Sequence, residues 1–539
     1  MPQKLYTKFD PNYDFSTADY LVIGSGIGGL SAAIFLAKAG KKVVVLEQHY
    51  VPGGFSHTFK RKDGYEWDVG VHYIGNLDSE TSQLRVLFNY LSDNRLKWEF
   101  MGDVHDKAIF NGDKYEFPAG KENLRAQLYE YFPEEKTAID AYFDLVEKAV
   151  SRFRLYFVEK VLPPILRYTL GVYFRKLFRP YGSISTYNQL RKLTSNQKLI
   201  SVLCAQCGNY GLSPRQSSFA AHAIVINHFF EGGYYPVGGA AEIYRNMIQT
   251  LNDNGGKVFV RASVEQIITE GNKVKGLQVN GKKIKARRVI SNAGTYNTYR
   301  HLLQDDINSK LKTSLQNTKP STPHLCLYVG LSASDKKLNL PKNNVWFYKS
   351  YDIDSLIDSN LEKSPEKIEF AYISFPSAKD PQWQQNHPDK ATIQAISIGN
   401  YDWFKKFENE PWRNRSDEYE AIKADFETKM LERLYELFPQ IKGHVAVTEV
   451  STPLSTRHFA NYRRGEIYGL AHTPERFEVK TLRPKSPVKG LYMVGQDISV
   501  VGVAGALTSG MLCAIEILKF RVQKQFKRMA RENKETDKT

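Results

Sequence analysis

The sequence predicts an α/β fold: a parallel, doubly wound sheet assembled from separated stretches of chain, joined to a second, α+β unit. Three observations point there. A strand–turn–helix–strand pattern fills residues 19–47, strand-type runs return between residues 257 and 293, and a last strand and glycine-rich turn appear near residue 490. The intervening stretches read differently, one mostly helical and one mixed.

Taken in order, Tyr20-Leu21-Val22-Ile23 is a short apolar run that stops at glycines. Leu30 to Ala39 has helix-forming composition, Gly40 ends it, and Lys42-Val43-Val44-Val45-Leu46 is a second strand of buried type. Two strands so close in sequence with a helix between them imply a parallel pair with a right-handed crossover. Residues 80–235 read as mostly helical. Strands are expected at Val258 to Val264, Val274 to Val279 and Arg288 to Ser291, then at Leu325 to Leu331, Phe370 to Phe375 and Thr392 to Ile398. A helix is expected from Asp417 to Phe438, a strand at Gly490 to Gly495, and a helix from about Ala504 to Phe520. The expected division is a nucleotide-binding domain of residues 1–80, 236–300 and 485–520, a substrate- or membrane-facing domain of 81–235 and 301–484, and a basic tail of 521–539 that frays from a helix.

Gly24-Ser25-Gly26-Ile27-Gly28-Gly29 matches G-x-G-x-x-G directly between a strand and a helix. Gly24 permits the tight turn, Gly26 leaves room for a pyrophosphate, and Gly29 lets helix and strand pack closely. The free N–H groups and dipole of the helix N-terminus favour the anion. Glu47 ends the second strand, placed to accept hydrogen bonds from both ribose hydroxyls and to repel a 2′-phosphate. This is a Rossmann turn for an unmodified adenosine, and on these residues FAD and NAD both remain open.

Composition narrows the class. With 539 residues, 42% hydrophobic, the chain can bury a large core and form two to four units at about 100–200 residues each. Four cysteines are too few for a disulfide framework, and Met1 to Phe15 has no apolar block of secretory type, so a reducing cytoplasmic setting is expected. No apolar run reaches membrane-spanning length. Cys204-Ala205-Gln206-Cys207 lacks a second ligand pair and a thioredoxin-type setting, so it reads as a buried pair and no metal site is expected.

Three ordered blocks add a resemblance. The first runs from His49-Tyr50-Val51-Pro52-Gly53-Gly54-Phe55 to Trp67-Asp68-Val69-Gly70-Val71-His72-Tyr73. The second holds Asn209-Tyr210-Gly211-Leu212 and Gly232 to Gly239, and the third Gly490 to Asp497 followed by Gly502 to Leu507. Together they resemble the retinol saturase branch of the phytoene desaturase and carotenoid isomerase superfamily, over nearly the whole chain. The resemblance implies one FAD, a glutathione-reductase-like FAD-binding Rossmann domain, and a second domain covering a hydrophobic polyene. It places Gly53 and Gly54 near the FAD phosphates, the backbone of Val264 at the adenine, and Gly495 and Asp497 at the ribityl chain and flavin. Many relatives carry an arginine after the glycine pair; this chain has Phe55 there, and the saturase branch also lacks that arginine.

The implied reaction adds or removes a hydride and a proton across a C=C bond of a retinoid- or carotenoid-like substrate, with saturation favoured. Alternatives are a desaturase or isomerase, an amine-oxidase-like flavoenzyme, and a non-catalytic flavin or lipid carrier. His72 and Tyr73 are the candidate proton donors, ahead of Tyr234 and Tyr235. A single dinucleotide fingerprint leaves the electron source open among NADH or NADPH docking transiently on the flavin, a quinone and a partner protein. The net charge of +16 is concentrated in part between Arg152 and Lys192, where nine cations and Glu159 are interleaved with leucines, tyrosines and phenylalanines. That pattern suits peripheral contact with an anionic membrane or a solvated basic face. No nucleic acid is expected, because no nucleic-acid-binding motif accompanies the charge.

Overall fold

The computed structural model describes residues 4–303, 313, 315–316, 318–362, 366–522, 524–527 and 529. Its first sheet has six strands, all parallel, in the order Thr7–Lys8, Lys257–Val260, Val43–Leu46, Tyr20–Ile23, Val289–Ser291 and Leu491–Met493. Three distant stretches of chain therefore build one sheet. The strand Tyr20–Ile23 has its sequence neighbour Val43–Leu46 on one side and Val289–Ser291 on the other. Its carboxyl end is thus a topological switch point, where a crevice opens for a ligand.

Both faces of this sheet are covered, as a parallel sheet requires. Val22, Val43, Val45 and Val258 face a layer of three helices, Ile27–Lys38, Ala241–Asp253 and Gly502–Leu518. Leu21, Ile23, Val44 and Leu46 face an antiparallel meander of Val264–Glu270, Lys273–Val279 and Lys282–Lys285. Successive strand residues point to opposite faces, so an unbroken Val43-Val44-Val45-Leu46 run serves both cores.

The second sheet has seven strands, ordered Val445–Ser451, His324–Leu331, Ala391–Ile398, Phe370–Ser374, Asn344–Tyr348, Val104–Phe110 and Asp113–Pro118. All pairs are antiparallel except Asn344–Tyr348 with Val104–Phe110. One face packs Val345, Phe347 and Ile373 against Phe426, Met430 and Leu434 of the helix Asp417–Leu437. The long helix Lys136–Val161 lies beside Leu170–Gly182 and Phe219–His228.

The stretch 80–235 is mostly helical, as expected, but it also contributes the strands Trp98–Phe100, Val104–Phe110, Asp113–Pro118 and Tyr234–Pro236. His105, Asp106 and Lys107 break the apolar pattern of one of these strands because Asp106 is fully buried in a polar network rather than exposed. The expected strand Val258 to Val264 is two strands, divided at Arg261, whose φ of +54° turns the chain out of the parallel sheet and into the meander. The strands Asn344–Tyr348 and Val445–Ser451 were not anticipated. Of the basic tail, 523, 528 and 530–539 lie outside the described residues, and 522, 524–527 and 529 are helical.

Candidate functional site

Three turns converge beyond the carboxyl edge of the parallel sheet. The first, Gly24 to Gly29, leaves the strand with Gly24 at φ +89° and enters the helix at Ile27. A Cβ on Gly29 would lie 2.2 Å from the Gly24 carbonyl oxygen, so that glycine closes the helix onto the strand, as the motif requires. The second turn is Gly53-Gly54. A Cβ on Gly54, whose φ is +57°, would lie 3.1 Å from the Gly26 Cα, so the two glycine turns meet backbone to backbone. The third is Gly495, whose amide lies 2.9 Å from where a Gly28 Cβ would be.

Two side chains bind these turns together. Ser25 donates through its backbone N–H (2.8 Å) and hydroxyl (2.6 Å) to Glu47 Oε2, while its Oγ accepts the N–H of Gly53 at 3.0 Å. Glu47 Oε1 accepts the His49 N–H at 2.8 Å. Glu47 is buried and faces the cleft, with lone pairs to spare for ribose hydroxyls. Asn292, just after the strand Val289–Ser291, wedges its amide between the first and third turns: a Cβ on Gly26 would lie 2.8 Å from its Nδ2, one on Gly28 2.9 Å from its Oδ1. Neither Ser25 nor Asn292 was singled out from the sequence. Each sits in a turn following a parallel strand, and that position is the only signal they carry.

Asp497 is buried, with Oδ2 accepting the Thr295 N–H at 2.7 Å and Oδ1 the Leu470 N–H at 2.8 Å. It lines the cleft while tying two loops together. Val264 also lines the cleft, at the start of the meander. Gly24, Gly26, Glu47, Gly53, Gly54, Val264, Gly495 and Asp497 thus border one continuous space, and Gly29 is set behind it. The residues fit an extended dinucleotide: glycines are placed where backbone amides must be approached, an acid faces the ribose end, and a helix N-terminus faces the diphosphate position.

The same cleft continues onto the seven-stranded sheet, with about 3030 Å³ of atom-free space counting its mouth. Its far wall is a row across three strands, where Trp346 stands opposite Tyr372 and Tyr372 opposite Ile396. Phe370 and Ile398, two residues along, line the same space. The carboxylates lining the cleft, among the described residues, are Glu47, Glu449 and Asp497. Each is engaged, Glu449 by both Nε and NH2 of Arg61.

His72 lines the cleft, its ring 5.3 Å from that of Tyr372. Burial, reinforced by nearby Lys379 and His324, pushes its pKa down to about 3, so the imidazole is neutral. Its Nδ1, the Nδ1 of His324 and the Nε1 of Trp346 are buried without a protein hydrogen-bond partner. Tyr73 is not among the residues lining the cleft: it donates to Asp106 Oδ2 at 2.7 Å, accepts from Asn209 Nδ2 at 2.8 Å, and stacks on Phe229. Tyr235 donates to Asp68, whose carboxyl burial pushes up to about 7. Lys379, another residue the sequence did not flag, donates to the His72 carbonyl at 3.0 Å and to Ser374 Oγ at 2.7 Å, and burial lowers it to about 7. Cys204 and Cys207 are buried free thiols, and burial raises both, Cys207 to about 12. Among the described residues no cluster of three or more metal-ligating side chains occurs.

Comparison with known proteins meets this geometry. Residues 27–518 match the family described as flavin containing amine oxidoreductase. The chain is 36% identical to the all-trans-retinol 13,14-reductase of Danio rerio over 522 residues, 93% of this chain and 86% of that one. It is 27% identical to the chloroplastic prolycopene isomerase of Arabidopsis thaliana, over 93% of this chain and 82% of that one. The fold is similar to that of putrescine oxidase bound to putrescine, with a TM-score of 0.60 at 16% identity, covering 93% and 99% of the two chains. A mixed α/β fold with a parallel sheet, the converging glycine turns and this extent of likeness place the chain in the flavin-containing amine oxidoreductase family, and within it with the all-trans-retinol 13,14-reductases.

Proposed function

We propose that this protein is an FAD-dependent oxidoreductase that saturates a C=C bond in a hydrophobic polyene of retinoid or carotenoid type. The observation that carries this reading is the single cleft that runs from the glycine turns to an uncharged wall of Trp346, Phe370, Tyr372, Ile396 and Ile398. An amine substrate would need a counter-charge in the apolar half, but Glu47 and Asp497 stand at the glycine turns and Glu449 is paired with Arg61.

The reading assigns the FAD pyrophosphate to Gly24, Gly26 and the helix start, with Gly29 packing behind them. It assigns the ribose to Glu47, the adenine to the Val264 backbone, and the phosphate and flavin approaches to Gly53, Gly54, Gly495 and Asp497. It treats residues 1–80, 236–300 and 485–520 as a glutathione-reductase-like cofactor domain, with 81–235 and 301–484 holding the substrate. Bound FAD supplies hydride chemistry at carbon. The chain's own residues hold the polyene flat against the aromatic row, exclude water from it, and offer a proton at the opposite end of the bond. His72 is the proposed donor; the neutral ring gives up N–H only to a carbon made strongly basic by hydride addition. Tyr73, tied to Asp106 and Asn209, is proposed to position the cleft-lining Asn209. NADH or NADPH docking transiently is the proposed electron source, and the cytoplasmic side of a membrane the proposed setting. No helix among the described residues is long and apolar enough to cross a membrane.

The test is to incubate the purified yellow protein with retinol and several carotenoids under reducing and under oxidising conditions, following polyene absorbance. Loss of absorbance under reducing conditions is expected. Anaerobic bleaching of the flavin by amines, with no change in any polyene, would overturn the reading.

A further inference from the structure

Nine large hydrophobic side chains are exposed among the described residues, and seven of them fall between Val158 and Tyr173. Ile165 and Tyr168 are each 82% exposed, Val172 60% and Tyr173 56%; Val158, Leu166 and Leu170 complete the set. Scattered exposed apolar residues need no explanation, but a patch gathered in one segment does.

The segment is held firmly at its base. The helix Lys136–Val161 ends at Leu162-Pro163, the short helix Pro164–Tyr168 forms the tip, and Leu170–Gly182 returns. Glu159, 2% exposed at its side chain, pairs with Arg175 at 3.1 Å and Arg483 at 3.0 Å. Phe178 stacks on Tyr156 and meets Phe477 edge-on. The returning helix therefore has one face in the core and another, carrying Val172, Tyr173, Lys176 and Arg179, turned outward. Arg154, Lys176, Arg179, Arg191 and Lys192 are exposed in the same stretch, and its one acid, Glu159, is consumed inside. The tip thus offers apolar and aromatic side chains rimmed by cations, of which Arg179 at the base is paired with the half-exposed Glu478 at 3.5 Å.

We infer that the hairpin of Pro164–Tyr168 and Leu170–Gly182 is a docking element for an anionic lipid bilayer, with Ile165, Leu166, Tyr168, Val172 and Tyr173 entering the headgroup–acyl boundary and Arg154 and Lys176 meeting the lipid phosphates. A bilayer surface matches both halves of the patch: an apolar layer for the tip, and anionic charge for the rim. The element is too short to span, so it lies in the interface. A protein partner would have to supply an apolar pocket ringed by acids, and the tip is helical, with no strand edge to register one. The inference goes beyond the polyene reading and stands without it, since its test reads binding and no turnover.

FAD-loaded protein is mixed with vesicles of phosphatidylcholine alone, or with roughly one-third phosphatidylglycerol, and sedimented. Wild type is expected to pellet with the anionic vesicles. The combination Ile165→Asp, Tyr168→Asp and Val172→Asp is expected to weaken that by at least about tenfold, and Arg154→Glu with Lys176→Glu to abolish the preference for anionic lipid. All three apolar sites are largely exposed, so flavin absorbance and melting temperature are expected to stay unchanged in the triple variant. Because the four native cysteines are buried, Ile165→Cys accepts a polarity-sensitive dye at one place, and its emission is expected to shift blue on anionic vesicles. Wild type left in the supernatant with both lipids, equal pelleting of the triple variant, or an unshifted dye would overturn the inference. So would a wild-type dimer that the triple variant converts to monomer, which would make a second copy of the chain the occupant.

Discussion

At Gly53 the backbone φ is +106°, and a Cβ would lie 2.6 Å from the Tyr244 ring. Gly53→Ala is therefore expected to destabilise the protein by about 1–3 kcal/mol, read as a lowered melting temperature together with loss of bound FAD on gel filtration. Glu47→Leu removes the acceptor for two buried donors, the Ser25 N–H and the Ser25 hydroxyl, and for the part-buried His49 N–H. Leaving such groups unpaired costs about 1–3 kcal/mol each, so FAD affinity is expected to fall by at least about tenfold in a fluorescence titration. An unchanged affinity would remove Glu47 from the cofactor site. His72→Phe is expected to slow turnover while FAD stays bound. Because burial lowers His72 to about 3, the wild-type rate between pH 5 and 9 is expected to carry no limb from this imidazole; a limb near pH 6.5 that vanishes in the variant would contradict that. The glycine motif and its acid were legible because each answers a local demand of strand, turn and anion. Ser25 and Asn292 were not, since serine and asparagine in turns are common and only their neighbours across the sheet give them a role.

At the scale of elements, the first βαβ unit and the helices Asp417–Leu437 and Gly502–Leu518 were readable to within about three residues of their ends, the usual uncertainty of a boundary. These segments have uninterrupted apolar character or clear end signals. Val104–Phe110 escaped notice because Asp106 is an interior residue: it accepts from Tyr73, Gln206 and Asn344, partners that lie 33 to 238 positions away in sequence. A buried carboxylate looks like surface in a one-dimensional reading. The Glu159 anchor belongs to this scale as well. Glu159→Gln leaves Arg175 and Arg483 without their counter-charge, and breaking a buried ion pair from one side typically costs about 3–5 kcal/mol. The expected result is a lower melting temperature, accompanied by proteolytic opening of the Leu170–Gly182 helix. Intact protection of that helix would show that the aromatic packing of Phe178 suffices.

For the molecule as a whole, histidines lowered by burial set the response to acid. Burial lowers His57, His228 and His324 to about 4 and His72 and His222 to about 3, against an unfolded value near 6.5. The unfolded chain then binds more protons than the folded one below about pH 6.5, so stability is lost as pH falls from there toward 3. Asp68, raised to about 7 by burial, acts in the opposite sense: its share is present at acid pH and lost as pH rises through 7. Burial raises three further carboxyls, Asp354, Asp380 and Glu466, but these four stand against ten lowered imidazoles, and the melting temperature is expected to drop steadily between pH 6.5 and 4. A flat profile over that range would show that the imidazoles gain partners the folded protein has in solution.

What the sequence determined by itself is the part of this protein built from contacts near in the chain: a parallel βαβ unit, a glycine turn between its first strand and helix, an acid at the end of its second strand, and a family resemblance spread along three blocks. Which residues form the apolar wall, which acids are already committed, and where the exposed hydrophobic tip stands were decided by tertiary structure. Trp346, Tyr372 and Ile396 become neighbours only when three separated strands pair in register. Burial, which sets both the neutrality of His72 and the exposure of Ile165, belongs to the assembled surface and to no residue alone.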